Sequence, residues 1–458
     1  MKISAMPTQS DPIRRPRLIG LGALLLSVLW ILAACARLST PPAPATAPPT
    51  PSAQSVPDSV LNNAAGNGSN SSVNSQGETN LVVWLPDFYS LDPSQPGGET
   101  LYTVRVLFEQ TYPGVFLDLF NKAESGQAGL LNFLRAAQRV APSVLPDAVI
   151  LNTQDLWQAV DAGLVQPVDP AALDGIDDFY PFALDAATYN DILYGVPLSA
   201  DLQHLVYARD YLLPQTGEPL AAPPLAWSQV ISDGAPFIFT AGVREPARNL
   251  SLLLQYVGAG GSLSEDGTLT DAAALVDLFT FLAEARQSGA IPDRILGLLS
   301  EETTWGAFAD GDAGLAAVNA HYYLSQREVL DQVGYGPVPT QDGTPSTVAQ
   351  TWAIAILTPD PDRQALVVEF IQDLLEAEVL GPWNQSANRL PVRHSALQAW
   401  TGADPYYQFL DDQANLAVAI PNGKAFTDLA GQMQQAAQDV LAGNLSPQDA
   451  LLTVQATP

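Results

Sequence analysis

The chain has a single cysteine, Cys35, among its 458 residues. Without a second thiol no internal disulfide can form, so a hydrophobic core must hold the folded part together. That part is expected to run from about Thr79 to about Thr457. It is longer than one domain usually is, at roughly 380 residues. The sequence therefore predicts two lobes without covalent cross-links.

The residues before Cys35 indicate an export signal. Arg14, Arg15 and Arg17 precede an uncharged apolar stretch, 18–34, that ends in small residues. These are the parts of a secretory signal. A cysteine directly after them resembles a bacterial lipoprotein signal, in which 1–34 is removed and Cys35 is lipidated. The alternative is an uncleaved helix, for which about 17 apolar residues is short. In both cases the rest of the chain is tethered to the outer face of the cytoplasmic membrane.

The chain is strongly acidic. Its formal net charge is −29, and residues 1–34 carry +3, so the remainder carries −32. Such a charge repels nucleic acid and anionic lipid surfaces, and it favours a neutral or cationic ligand over a polyanionic one. The alternative is that the charge serves only as a solvated surface. We expect a monomer with no nucleic-acid partner.

Residues 35–79 are predicted to be a disordered tether. The Pro/Ala/Thr tract 41–51 favours extended polyproline II, and 67–72 is rich in Gly, Ser and Asn. Neither tract has the apolar residues that a core needs. The composition changes near Thr79, where the folded part is predicted to begin.

The folded part opens with alternating strands and helices. Apolar runs at 81–85, 115–120 and 148–151 predict buried strands, and apolar residues at helical spacing lie between them. Thr153 or Asp155 is expected to cap the helix after the third strand. A further strand is predicted at 352–357. This order is typical of an α/β lobe around a mainly parallel sheet.

An ordered set of short motifs carries a family resemblance. The most specific motif is Leu-Tyr-Gly-Val-Pro-Leu-Ser-Ala-Asp at 193–201. It is followed by residues 206–212, which stand where the family usually has Tyr-Asn-Lys-Asp-Leu-Leu. Other motifs in the same order are 108–114, 146–149, 161–168, 260–268, 308–314, 335–339 and 390–393. Together they resemble extracellular solute-binding protein family 1, the maltose-binding-protein-like receptors of ABC importers. The chain departs from the family pattern at 319–323 and 350–352, near the family's ligand cleft.

The resemblance implies a type II periplasmic-binding-protein-like fold. One lobe would comprise 80–200 and 335–376, and the other 205–332 and 377–457. Each would be a mainly parallel sheet flanked by helices, with the ligand cleft between the lobes. The chain would cross from one lobe to the other at 198–202. The partners it implies are the permease subunits of an ABC importer and a small solute, most readily a sugar or oligosaccharide.

Candidate ligand contacts come from loops after the predicted strands and from the implied cleft. Aromatic faces stack on sugar rings, while carboxylates and amides hydrogen-bond hydroxyl groups. The candidates are Trp84, Asp87, Gln154, Asp155, Asp201, Asn319, Tyr322, Gln350 and Trp352. Three of them have a specific alternative role: Trp84 in the core, Asp155 as a helix cap and Asp201 as support for the hinge. Trp383 and Arg244 are weaker candidates.

No pattern of an enzyme stands out. The three histidines lack metal-ligand spacing, no Gly-x-Ser-x-Gly motif occurs, and the only cysteine stands at position 35. We therefore predict no metal, no cofactor and no catalytic residue. Three alternatives stay open: a receptor for a cationic or other non-sugar solute, a lipoprotein glycoside hydrolase that uses two of the many carboxylates, and a surface adhesion or scaffold protein.

Overall fold

The computed structural model describes residues 78–212, 222–234, 236–264, 266–268, 271–330, 332–400 and 404–455. The predicted signal 1–34, the lipidation site Cys35 and the tether up to residue 77 lie outside these residues. All described residues belong to one unit of the chain, Asn62–Pro458. Among the described helices, none has the length and apolar character needed to cross a membrane.

The first part of the unit alternates strand and helix as predicted. Its elements are β1 (Thr79–Pro86), α1 (Pro96–Thr111), β2 (Val115–Lys122), α2 (Leu130–Val140), β3 (Ala148–Asn152) and α3 (Thr153–Asp161). Strand β1 pairs in parallel with both β2 and β3. All five residues of β3 are buried, as expected for a central strand covered on both faces. The carboxyl ends of these strands therefore lie at one edge of the sheet.

The cap of α3 differs from the prediction. The side chain of Asn152 accepts a hydrogen bond from the backbone N–H of Gln154 at 2.9 Å. Asn152 is thus the N-cap residue, and Thr153 and Asp155 lie in the first turn of the helix. Because Asn152 caps the helix in place of the predicted Thr153 or Asp155, the Asp155 carboxylate is available for other contacts.

Two long strands form the centre of the sheet. They are β6 (Val196–Ala208) and β10 (Thr347–Ile356), which pair antiparallel with each other. The strand order is β2-β1-β3-β10-β6-β8-β7, in which β7 is Phe237–Ile238 and β8 is Leu315–Asn319. Strand β6 pairs with β10 through its first half and with β8 through its second half. The fold class is α/β as predicted, but the sheet is mixed, since β10 and β6 run antiparallel to most of their neighbours.

The remaining strands pair with β6 or β10 or form a separate two-stranded sheet. The short strands are β4 (Thr188–Tyr189), β5 (Ile192–Leu193), β9 (Val333–Gly336), β11 (Leu390–Pro391) and β12 (Ala417–Ala419). The helices are α4 (Pro181–Ala187), α5 (Trp227–Asp233), α6 (Leu250–Gly258), α7 (Ala272–Ser288), α8 (Glu301–Ala309), α9 (Ala320–Gln326), α10 (Pro361–Leu375), α11 (Ala377–Ser386), α12 (His394–Gln398), α13 (Pro405–Leu416), α14 (Lys424–Leu441) and α15 (Pro447–Gln455). Short 3₁₀ helices lie at Pro142–Val144, Pro170–Ala172, Ile176–Asp178, Arg209–Leu212, Pro246–Arg248, Asp293–Gly297 and Arg327–Val329.

The helices after residue 376 pack in two places. Helices α14 and α15 contact α7, in the middle of the chain, whereas α11 contacts α1. The ring of Trp383 on α11 stacks on Tyr89 with a centroid distance of 4.1 Å, and both rings are fully buried. Trp383 therefore belongs to the core beside β1. The segment from residue 377 was predicted to belong to the second lobe, but its first helix, α11, packs on elements predicted for the first lobe.

Candidate functional site

A cavity of about 360 Å³ lies where loops from distant parts of the chain meet. One wall is formed within 124–135 and 154–158, after strands β2 and β3. The other is formed within 244–248, after strand β7, with Thr427 from α14. Strands β2 and β3 both run parallel to β1, so their carboxyl ends open at the same edge. Open α/β sheets bind ligands at such an edge.

A buried ion pair joins the two walls. Asp155, in the first turn of α3, accepts an ion-pair contact from Arg248 Nη2 at 2.7 Å, and both side chains are largely buried. Arg248 also pairs with Glu245 at 2.9 Å. Burial raises the pKa of Asp155, although the nearby Arg248 acts to lower it. Burial likewise lowers the pKa of Arg248, but the two carboxylates outweigh it and raise that pKa.

Gln154 connects the same wall with the segment before α14. Its Nε2 donates to the backbone carbonyl of Pro421 at 3.1 Å. Its Oε1 is buried and accepts no hydrogen bond from the described residues. A buried acceptor without a partner is unfavourable by about 1–3 kcal/mol. Because Gln154 lines the cavity, a donor placed there would remove this cost.

A second group of charged residues surrounds Asp201, which is fully buried on β6. Its carboxylate accepts hydrogen bonds from Arg389 Nη1 at 2.6 Å, from His321 Nδ1, and from the His321 backbone N–H at 3.2 Å. Burial acts to raise the pKa of Asp201, but attraction to His321 and Arg389 outweighs it and lowers that pKa below its ordinary value. We call Asp201, His321 and Arg389 the charged cluster.

Aromatic rings and Glu124 link the charged cluster to the cavity. The Arg389 guanidinium lies 4.6 Å from the centroid of Trp352, a cation–π distance. Trp352 Nε1 donates to Glu124 Oε1 at 3.0 Å, and Glu124 lines the cavity. Burial raises the pKa of Glu124, while Arg389 and Arg248 act to lower it. Glu124 is therefore electrostatically coupled to both groups.

The polar side chains at the end of β8 form a third group. Asn319 Oδ1 accepts from Gln203 Nε2 at 3.2 Å, and the same amide approaches Glu301 Oε1 at 3.3 Å. Burial raises the pKa of Glu301 to about 8, and hydrogen bonds from Thr240 and Gln203 only partly oppose it. Tyr322 stacks on Trp305 with a centroid distance of 6.0 Å. These residues surround the beginning of α9.

One family's sequence pattern matches residues 126–408, and its description is bacterial extracellular solute-binding protein. The match covers more than half of the chain. The chain belongs to this family. A search of the curated proteins returned no match. The family is one of binding proteins and not of enzymes, and it acts outside the cytoplasm.

Solved structures show the same fold in other members of this kind. The cyclic alpha-maltosyl-1,6-maltose binding protein from Arthrobacter globiformis is 18% identical, with a TM-score of 0.67 over 83% of this chain and 98% of that chain. The sugar-binding protein MalE from Xanthomonas citri is 19% identical, with a TM-score of 0.66 over 82% and 96%. Maltose-bound MalE3 from T. maritima is 18% identical, with a TM-score of 0.64 over 82% and 98%. These similarities confirm the predicted two-lobe α/β fold class.

The structure of this solute-binding protein separates the predicted contacts into groups. Gln154 and Asp155 line the cavity. Asp201 and Trp352 both contact Arg389. Asn319 and Tyr322 lie in the third group, at the end of β8 and the start of α9.

The other three predicted residues, Trp84, Asp87 and Gln350, lie outside these groups. Gln350 lies opposite Asp201 in the β6–β10 register. Trp84 is only 7% exposed and packs edge-on against Phe133, so it is part of the core in this conformation. Asp87 is exposed at the end of β1. For all nine residues, contact with a ligand stays a prediction.

Several residues of the site escaped the sequence analysis of this solute-binding protein. They are Glu124, Arg135, Arg248, Glu301 and Arg389. Each lies outside the quoted motifs, and each has its main partner far along the chain. The sequence offered a signal for Arg248. Arginine is scarce in this acidic sequence, and Pro246 predicts a turn that would expose the residues beside it. Of the arginines near this turn, only Arg244 was predicted as a candidate.

Proposed function

We propose that this protein is the lipid-anchored receptor of an ABC importer. It captures a small solute, a sugar or an oligosaccharide, between two lobes and delivers it to the membrane permease. One observation carries the proposal: the cavity is walled by loops at the carboxyl ends of strands from two separate parts of the sheet. Gln154 offers a buried acceptor there. The sugars named for the structural relatives support the choice of solute.

The proposal includes a division into lobes. Residues 80–200 with 335–376 make the first lobe, and 205–332 with the chain from residue 404 make the second. We shift the segment 377–400 to the first lobe, because Trp383 stacks on Tyr89 and β11 pairs with the first half of β6. The contacts of α14 and α15 with α7 support the rest of the second lobe.

In this proposal the ligand shifts an equilibrium between open and closed forms. The Asp155–Arg248 ion pair and the Gln154–Pro421 hydrogen bond would both connect the two lobes. They favour the closed form only when the walls approach. A solute that contacts both walls adds to them and increases the closed population. The strand β6, which passes from one half of the sheet to the other, would bend at 198–202.

A thermal-shift screen tests the function. Neutral sugars, charged sugars, amino acids and polyamines are tried one at a time on the purified protein. A ligand at one hundred times its dissociation constant stabilises the fold by about 2.7 kcal/mol. We expect saccharides to give the largest shifts, and mass spectrometry to recover them unchanged. The variant Asp155→Asn should reduce the shift, whereas Asp161→Asn, exposed on the same helix, should not. Stabilisation by amino acids or polyamines alone would refute the sugar assignment.

The anchor is tested separately. Cells that express the protein are grown with a palmitate analogue that can be detected after labelling. We expect the wild type to be labelled and Cys35→Ser to be unlabelled, because Cys35 is the only thiol in the chain. Labelling that persists in Cys35→Ser would show that no lipid is attached at this position.

A further inference from the structure

Arginine is concentrated in the cavity of an otherwise acidic protein, beside three acidic residues, Glu124, Asp155 and Glu245. After residue 34 the chain has 13 arginines and carries a net charge of −32. Three of the 13, Arg135, Arg244 and Arg248, line the cavity. From the total charge, the sequence predicted a neutral or cationic ligand in preference to a polyanionic one. However, charges beyond about 8 Å are largely screened at physiological salt, so the residues of the cavity wall decide what binds.

The carboxylates of the cavity already have partners. Asp155 and Glu245 both pair with Arg248, at 2.7 and 2.9 Å. Glu124 accepts the indole N–H of Trp352 at 3.0 Å. The acidic side chains of the wall are thus occupied by contacts within the protein. The charge of Arg248 is balanced by the same contacts.

Among the described residues, the other two arginines form no ion pair with a carboxylate, although the charge of Arg135 acts to lower the pKa of Asp155. Arg135 Nη2 donates to the neutral amide oxygen of Gln158 at 3.0 Å. Arg244 is exposed, and among the described residues it makes no hydrogen bond or ion pair with its side chain. Two arginines that line the same cavity therefore have guanidinium donors without a hydrogen-bond partner among the described residues.

Both arginines are attached to backbone that is held in place. Gln158, the partner of Arg135, donates from its Nε2 to the backbone carbonyl of Gln154 at 3.0 Å. Beside Arg244, the backbone N–H of Val243 donates to Gln434 Oε1 at 2.9 Å, and Gln434 Nε2 donates to the Val243 carbonyl at 3.0 Å. Binding at this position would require little ordering of the loop, which favours affinity.

We infer that the captured solute is a saccharide with an anionic group, a carboxylate, sulfate or phosphate, which Arg135 and Arg244 bind. The inference rests on the proposed function of the cavity and specifies its ligand. The guanidinium fork matches the planar or tetrahedral oxygens of such groups and donates two hydrogen bonds at once. The sugar hydroxyls would meet the remaining amides of the wall, including Gln154.

Calorimetry with matched pairs of sugars tests the inference. The pairs are trigalacturonate and its methyl ester, glucose 6-phosphate and glucose, and glucose 6-sulfate and glucose. We expect at least one charged sugar to bind more tightly than its neutral parent by about tenfold to a hundredfold, the range for a hydrogen-bonded charge. The preference should shrink as salt is raised. The sugar that binds identifies the oxyanion.

Variants assign the effect to the two arginines. Arg244→Gln makes the direct test, because the exposed Arg244 side chain makes no hydrogen bond or ion pair with the described residues. It should lower the affinity for the charged sugar about tenfold more than that for the neutral parent. Arg135→Gln should act in the same direction, with circular dichroism to check its fold. The matched control is Arg139→Gln, one turn further on α2 and outside the cavity, which should bind as the wild type does.

The outcomes separate this inference from the proposed function. If neutral parents bind as tightly as every charged sugar, the inference is overturned and the proposed function stands. If spermidine stabilises the protein and no saccharide does, both are overturned. An unchanged preference in Arg244→Gln and in Arg135→Gln also overturns the inference, because the anion is then bound elsewhere.

Discussion

Two fully buried ionisable residues lie three positions apart on β6. One of them is ionised and the other is neutral. Asp201 contacts Arg389 and His321 in the charged cluster, which lower its pKa despite burial. His204 is surrounded by the rings of Tyr323, Tyr406 and Phe409, which we call the aromatic cluster. Its pKa is lowered by burial to about 4, so it is neutral. Burial to the same extent therefore yields a charge only where an opposite charge is supplied.

Hydrogen bonding in the aromatic cluster fits a neutral ring. His204 Nδ1 lies 3.0 Å from the backbone carbonyl of Leu205 and donates to it. His204 Nε2 is then the acceptor for the hydroxyl of Tyr406 at 2.8 Å. Each nitrogen has one partner, so a second proton would displace the tyrosine donor. In the charged cluster the donors are Arg389 and His321, and all of them point to the Asp201 carboxylate. Their hydrogen bonds favour the ionised form of Asp201.

The largest expected effect comes from removing the charge that balances Asp201. In Arg389→Met the Asp201 carboxylate stays buried without the guanidinium that donates to it at 2.6 Å. We expect a loss of about 3–5 kcal/mol in the free energy of unfolding, measured by urea denaturation at pH 7. Arg105→Met is the control, because that arginine forms a partly exposed i, i+4 pair with Glu109, and it should lose no more than about 0.5 kcal/mol. A loss below about 1 kcal/mol in Arg389→Met would falsify the contrast between the two clusters.

Acid should destabilise the aromatic cluster through His204. Its pKa is about 4 in the folded protein and 6.5 ordinarily. The unfolded chain therefore binds a proton first, and stability is lost as pH falls from 6.5 to 4. The loss should approach about 3 kcal/mol. Urea titrations at pH 7, 5.5 and 4 measure it. His204→Gln should be less stable at pH 7 but should lose less on acidification. Equal losses in the two proteins would show that His204 is not the group responsible.

Glu301 should have the opposite pH dependence. Its pKa is raised by burial from 4.5 to about 8. As pH rises through this range the unfolded chain releases the proton first, so stability falls. Glu301→Gln removes the effect and should be more stable than the wild type at pH 8 by about 2 kcal/mol, allowing for partial exposure to solvent. The neighbouring Glu302→Gln, which is exposed, is the control. If both variants behave alike, Glu301 is solvated and not part of the buried group.

The smallest effect concerns ligand affinity at the third group of polar residues. Tyr322→Ala removes an aromatic face beside Trp305. We expect affinity for a saccharide to fall several-fold to tenfold, since stacking adds roughly 0.5–1.5 kcal/mol beyond area burial. Calorimetry with the sugar found in the screen measures it, and Tyr102→Ala, exposed on α1, serves as the control. Unchanged affinity, or an unfolded variant, would place Tyr322 in the core instead of the binding wall.

Local sequence patterns predicted much of the fold. The apolar run 148–151 is bounded by Pro146-Asp147 and Thr153, and it forms the buried strand Ala148–Asn152. Leu130, Leu131 and Leu134 have helical spacing and form the buried face of α2. The cap of α3 was missed by one residue, because Asn, Thr and Asp all suit an N-cap and only the backbone geometry distinguishes them.

The candidate site was predicted only in part. Asp155 was predicted as a polar ligand contact after a strand, and it lines the cavity, while its contact with a ligand stays a prediction. Its partner Arg248 could not be predicted, because the two residues are far apart in the chain and no local sequence pattern indicates that they pair. Nothing in the sequence ranked Arg244 above the other candidates, and only the tertiary structure shows that it forms no ion pair with a carboxylate of the described residues.

The sequence by itself determined the exported character, the acidic charge, the order of strands and helices and the family. These depend on composition and on patterns within about twenty residues. The tertiary structure decided the charge states and the chemistry of the cavity. Asp201 is ionised because Arg389, 188 residues later, reaches it, and His204 is neutral because Tyr406, 202 residues later, donates to it. The energy of a buried ionisable group is set by its neighbours in space, and chain folding alone brings those neighbours together.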